Sequence, residues 1–256
     1  MKLLSFALAA TFLAFSANAQ DSDKSKPAHL FILSGQSNMA GMNPKAGFEQ
    51  EATKLFADGE VAYIKVARGG RPIRDWVTEW NEIATKHGID AKAARGKGKE
   101  DGGPVYYEPI VEQFQQLLAK HPNPASVTFC WMQGERDAKE NLSAAYADSM
   151  KQLIANLRRD LKQPEMKFVI GRLSDFGKGE SAEWTAVREA QVAVANDDPL
   201  GSWVDCDDLN NKEKDDRKWD DLHYTKEGYT VLGQRYARQA RALFLGEKPA
   251  ENGQPE

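Results

Sequence analysis

Five short runs of mostly apolar residues recur along the chain: His29–Ser34, Val61–Ala67, Ser126–Met132, Lys167–Leu173 and Ser202–Cys206. Each is bounded by Gly, Pro or charge and is shorter than an ordinary helix. Apolar runs of this length belong to strands buried on both faces, the condition of a parallel sheet covered by helices. Between them lie stretches with apolar residues at helical spacing. Tyr107–Lys120 aligns Ile110, Phe114, Leu117 and Leu118. Asp137–Leu161 aligns Leu142, Tyr146, Met150, Leu153, Ile154 and Leu157, and Ala182–Ala195 and Lys226–Leu245 follow the same rule. Strands alternating with amphipathic helices predict an α/β fold, a three-layer α/β/α sandwich on a five-stranded parallel sheet with right-handed crossovers.

The ends read differently. Lys2 precedes the apolar run Leu3–Phe15, and Ser16-Ala17-Asn18-Ala19 supplies small residues in the A-x-A pattern. Residues 1–19 are therefore expected to be a signal peptide cleaved after Ala19, which implies a secreted or periplasmic protein. The alternative, an N-terminal membrane anchor, is opposed by the shortness of the run. Residues 21–27 read as a loose leader and 247–256 as a flexible tail, leaving one domain over 28–246. A formal net charge of −4 gives no electrostatic case for nucleic acid or anionic membrane. The mature chain is expected to be a soluble monomer.

The glycines around Gly96-Lys97-Gly98 do not have dinucleotide-fingerprint spacing and follow no strand, so 91–103 is expected to be a surface loop. Cys130 and Cys206 fall in different expected strands; an oxidising compartment leaves a disulfide open. No Cys or His lies near either at ligand spacing, which argues against a metal site.

In such a fold, ligands bind beyond the carboxyl ends of the strands. Those positions hold Gly35-Gln36-Ser37-Asn38, Gly69-Gly70-Arg71-Pro72, Gln133-Gly134-Glu135 and, before the last helix, Asp220-Asp221-Leu222-His223. Of four histidines, only His223 combines a carboxylate three residues earlier with a strand-end loop. A carboxylate on Nδ1 fixes the tautomer that leaves Nε2 basic, as a serine nucleophile requires. Asp220 has the preferred spacing and Asp221 is its competitor. Ser37 follows a buried strand at a glycine turn, though Met39 breaks the G-x-S-x-G elbow pattern. The backbone N–H groups of Ser37 and Gly70 and the Gln133 amide are candidate donors to an oxyanion. Singly, each piece also reads as something plainer: a helix cap at Ser37, a surface histidine, a turn glycine, a capping glutamine.

Together the pieces resemble SGNH hydrolases, and within them the branch of sialate O-acetylesterases and family-six carbohydrate esterases. The resemblance rests on Leu33–Gly41, on Gly69–Ile73 with Trp76, on Trp131–Glu135 and on Asp220–His223, in family order. It implies a flavodoxin-like α/β/α hydrolase needing no cofactor or metal. Ser37 would be the nucleophile, His223 the general acid/base and Asp220 its orienter, with Ser37, Gly70 and Gln133 as the oxyanion hole. It implies an acetylated carbohydrate, such as xylan or a sialic acid, as substrate. Gln36, Asn38, Glu135, Arg71 and Trp76 are candidates for touching substrate or supporting the site. Met132 and Arg136 depart from the branch's usual residues, which bears on sugar preference. Trp76, Trp80, Trp131 and Trp219 are available for stacking on a sugar, but core packing is the plainer role for each. The rival readings are a lipase or thioesterase of longer acyl chains and a non-catalytic carbohydrate-binding protein.

Overall fold

The computed structural model describes residues 26–91, 104–176, 181–247 and 250. The expected signal peptide lies outside these residues, as do most of the expected loop at 91–103 and most of the tail.

Five strands form one parallel sheet: β1 (Ala28–Gly35), β2 (Glu60–Ala67), β3 (Ser126–Met132), β4 (Lys167–Gly171) and β5 (Gly201–Val204). Their order is β2-β1-β3-β4-β5. β1 and β3 are buried along their whole length, which is why both read as unbroken apolar runs. Phe31, Ile32, Leu33, Phe129 and Trp131 are fully buried, each such side chain stabilising the fold by about 1.5–3 kcal/mol.

Helices cover both faces. α2 (Phe48–Leu55) packs with α8 (Lys226–Leu245) on one side. On the other, α6 (Ser143–Asp160) packs with α7 (Ala182–Asn196) and α3 (Trp80–Lys86). α4 (Tyr107–Lys120) joins that layer through Tyr107 Oη, which donates to Asp160 at 2.6 Å. The chain steps from β1 outward to β2, then returns past β1 to β3 and continues to β5. Such a reversal opens a crevice between β1 and β3 at their carboxyl ends.

The architecture is the expected one, and α4 and α8 begin and end where the periodicity places them. Two features differ. The helix expected over 137–161 is two: α5 (Glu135–Lys139) and α6, separated at Asn141, whose φ of +58° is left-handed. Asparagine tolerates that backbone, so the apolar pattern continues while the helix does not. Next, β6 (Asn211–Lys214) and β7 (Arg217–Asp220) form an antiparallel hairpin in a segment to which the sequence assigned no element. Its two-residue turn, Asp215-Asp216, has φ of 50° and 60°, the backbone of a type I′ turn. Cys130 and Cys206, for which a disulfide was left open, are separate buried thiols with no bond between them, and burial raises the pKa of both. No described helix is long and apolar enough to cross a membrane.

Candidate active site

The carboxyl end of β1 delivers Ser37 to the surface. Gly35 has φ +143°, and a Cβ there would lie 1.9 Å from the Met132 carbonyl oxygen. Only glycine permits this approach of β1 to β3, and the Gln36 N–H then donates to the Met132 carbonyl at 2.8 Å. Ser37 is the first residue of the short helix α1 (Ser37–Gly41). From Ala28 to Met39 every residue is buried except Ser37. The β2 loop reaches the same place: a Cβ on Gly69 would lie 3.5 Å from Ser37 Cβ. Gly70, one residue on, is exposed and has the left-handed φ of +70°.

Gln133, just past β3, is fully buried. Its side-chain N–H2 donates to the Asp137 carboxylate, to the Arg71 carbonyl at 3.0 Å and, more weakly, to Gln36 Oε1 at 3.2 Å. Its own carbonyl accepts from Tyr146 Oη at 2.8 Å and Gln191 Nε2 at 2.7 Å. Held at both ends, this residue has little rotational freedom. Asp137 also accepts the Ile73 backbone N–H at 3.0 and 3.1 Å, so one carboxylate joins the β2 loop to the β3 loop. Burial raises the pKa of Asp137 to about 7, against the hydrogen bonds from Gln133 and Ile73. Sequence reasoning missed Asp137. Helical spacing sets Asp137 opposite the apolar residues Leu142, Tyr146 and Met150 of the expected helix, so its one signal was a carboxylate four residues after Gln133.

Asn38 connects this region to the histidine loop. Its Nδ2 donates to Glu135 Oε1 at 2.8 Å and to the Leu222 carbonyl at 3.1 Å. Its Oδ1 accepts from the Tyr224 N–H at 3.4 Å and from Tyr229 Oη at 3.1 Å. The backbone on either side of His223 is thus fastened to the residue beside Ser37. Tyr224 and Tyr229 are further supports that sequence reasoning missed.

Glu135 is 5% exposed, and Oε2 has no hydrogen-bond partner among the described residues. Burial raises its pKa from 4.5 to about 7. A carboxyl with a raised folded pKa contributes stability that is complete below the unfolded value and lost as pH rises through the folded one. Glu135→Gln removes that dependence. Denaturant unfolding should show the variant gaining on wild type between pH 4.5 and 8, by on the order of 2–3 kcal/mol. A stability difference that is constant across this range would contradict a buried, titrating Glu135.

His223 is exposed, and its ring makes no hydrogen bond among the described residues. Asp220, half-buried at the end of β7, is likewise not bonded to that ring. The structure therefore ends β7 at Asp220 and sets His223 three residues on in the following loop, without closing the contact between them. The competitor Asp221 is already engaged. Its carboxylate accepts the His223 backbone N–H at 3.0 Å and pairs with Lys212 at 2.9 Å.

Of the candidates for touching substrate or supporting the site, Trp76 takes the core role. It is fully buried, its Nε1 donates to Ser34 Oγ at 3.0 Å, and its ring packs on Trp131. An indole with its N–H satisfied inside the core cannot stack on a sugar. Trp80 and Trp131 are buried as well. Gln36, Asn38 and Glu135 are buried supports, and Arg71 sits partly exposed at the rim, 3.6 Å from Asp75.

The parallel sheet brings a serine, a glycine loop and a buried glutamine together at its β1/β3 crevice, the arrangement that the SGNH resemblance implies. Residues 41–242 match the family model "Carbohydrate esterase, sialic acid-specific acetylesterase", and the chain belongs to that family. It is a carboxylic ester hydrolase. The matched span includes Gly70, Gln133, Asp220 and His223, and Ser37 lies just ahead of it. A relative from Arabidopsis thaliana described as a "Probable carbohydrate esterase" is 24% identical over 91% of this chain and 76% of its own length. An Arabidopsis thaliana protein of known structure superposes with a TM-score of 0.59 at 21% identity, covering 86% of this chain and 98% of that one. A carbohydrate acetylesterase from Xanthomonas citri gives 0.59 at 16% identity, covering 85% and 57%. A family 3 carbohydrate esterase from Talaromyces cellulolyticus gives 0.50 at 11%, covering 86% and 100%. At these identities the solved structures support the fold.

Proposed function

We propose that the protein removes O-acetyl groups from a carbohydrate through an acetyl-serine intermediate on Ser37. The observation that supports this most is the isolated opening at Ser37. It is the one residue of its buried run that reaches solvent, with the Gly69-Gly70 loop against it and the His223 loop fastened to its neighbour Asn38.

In the proposed mechanism, His223 Nε2 takes the Ser37 hydroxyl proton as Oγ attacks the acetyl carbon. The backbone N–H groups of Ser37 and Gly70 and the second N–H of Gln133 receive the developing negative charge. The contacts of that amide nitrogen to the Arg71 carbonyl and to Gln36 Oε1 are longer than its contact to Asp137, so the oxyanion would displace one of these. Collapse of the intermediate breaks the bond to the sugar oxygen, which leaves with the proton from His223. Water then attacks the acetyl-serine by the same route in reverse, giving acetate and free Ser37. Asp220 is the proposed orienter of His223, since Asp221 is occupied by Lys212 and a backbone N–H.

The family description and the similar carbohydrate acetylesterase from Xanthomonas citri support acetyl as the group removed. Acetate release from acetylated polysaccharides and sialosides, with an acyl-length series of simple esters beside them, tests the reading. Release from at least one carbohydrate and a preference for acetyl are expected. A preference for octanoyl over acetyl esters would contradict it.

A further inference from the structure

The hairpin β6–β7 is not used by the mechanism above, yet it leads directly into the His223 loop. Its register pairs Lys212 with Trp219 and Lys214 with Arg217. Paired residues share a face, and so do residues two apart along a strand. One face therefore presents Lys212, Lys214, Arg217 and Trp219. On the opposite face Glu213 neutralises Lys218 at 3.4 Å. On the first face only Lys212 has an acidic partner, Asp221. Lys214 and Arg217, both exposed, stand directly opposite each other with no carboxylate partner among the described residues. Opposed like charges weaken a hairpin, and here they occur in a chain of net charge −4.

Trp219 is 41% exposed, the only tryptophan among the six that is not buried or half-buried. The Asp221 carboxylate beside it is held below the usual carboxylate range first by the His223 backbone N–H, then by Lys212. One carboxylate thus ties the hairpin to the histidine loop.

We propose that this face is a subsite for an acidic sugar residue of the substrate: a pyranose stacks on Trp219 while its carboxylate pairs with Arg217 and Lys214. The inference rests on the carbohydrate-esterase reading and assigns its substrate class. An indole face accepts the apolar C–H side of a sugar ring, and arginine matches a carboxylate in a fork. Trp219 and Arg217 are two residues apart on one strand, roughly 7 Å, a spacing on the scale of one ring and its carboxyl. Uronic and sialic acids share this chemistry.

The test compares KM and kcat for acetylated oligosaccharides that are neutral, uronic-acid-bearing or sialic-acid-bearing, with 4-nitrophenyl acetate as a small ester. Trp219→Ala should raise KM about five- to tenfold on the oligosaccharides and leave the small ester within about twofold. Trp219→Phe should retain part of the affinity. Arg217→Gln and Lys214→Gln should raise KM for an acidic oligosaccharide alone, and added salt should erase that difference. The acidic substrate most affected identifies the sugar. An unchanged KM for Trp219→Ala on a carbohydrate that wild type deacetylates would overturn the subsite and leave the esterase reading standing. Equal effects of Arg217→Gln on neutral and acidic substrates would overturn the carboxylate pairing. Wild type that cleaves 4-nitrophenyl acetate but no acetylated carbohydrate would overturn both the substrate reading and the subsite.

Discussion

Ser37→Ala is expected to lower the rate of acetate release by about ten-thousandfold or more, with the fold intact. Without Oγ there is no acyl acceptor, and the remaining donors assist only direct attack by water, as triad knockouts in serine hydrolases show. The structural cost is small. Ser37 is partly exposed, and its side chain makes no hydrogen bond among the described residues. A surface truncation of that kind changes stability by about 0.5 kcal/mol or less. Steady-state acetate release, beside a thermal unfolding curve matching wild type, checks both halves. Wild-type turnover by the variant would remove Ser37 from the mechanism.

Gln133→Ala is expected to cost about a hundred- to a thousandfold in kcat with little change in KM, because the lost N–H serves the transition state more than bound substrate. Here stability also falls. Asp137 loses a donor in a fully buried position and keeps the Ile73 N–H, a loss of about 1–3 kcal/mol. Asp137→Asn separates the two effects. It disturbs the anchor while leaving the Gln133 amide in place, so its kcat should fall less than that of Gln133→Ala. A kcat within about threefold of wild type for Gln133→Ala would exclude the amide as an oxyanion donor.

Much of the architecture was legible because burial writes itself into apolar periodicity. β1 and β3 sit at the centre of the sheet, covered on both faces, and their sequences carry no polar alternation. α8 carries a Thr225 side chain on the Gly228 N–H at its start and the left-handed Gly246 at its end, so its bounds could be read closely. The hairpin was illegible for the complementary reason. Asn211–Lys214 and Arg217–Asp220 are polar and mostly exposed, so no apolar face marks them as strands. The break at Asn141 was hidden because the buried face of α6 continues the apolar pattern across it.

The candidate site divides in the same way. Ser37, Gly70 and Gln133 follow strands, and parallel topology brings strand ends together without further information. What fastens them was not readable. Asp137 bridges two loops far apart in sequence, and Asn38 reaches Leu222 and Tyr224 across nearly the whole chain. Trp76 was a candidate for touching substrate or supporting the site because it lies in a loop block, with core packing as its plainer role. Its indole N–H finds Ser34 inside the core, a partner no local pattern reveals.

The most direct measurement of the central claim is the acyl-enzyme itself. The protein is mixed with a simple acetate ester, quenched in acid within the first turnovers, digested and analysed by mass spectrometry. The expected result is one added acetyl group on the peptide containing Ser37, absent from Ser37→Ala and accumulating in a His223→Ala variant only if that variant still acylates. Acetylation of a different residue, or turnover with unmodified Ser37 peptide at every quench time and no burst of product, would contradict the account.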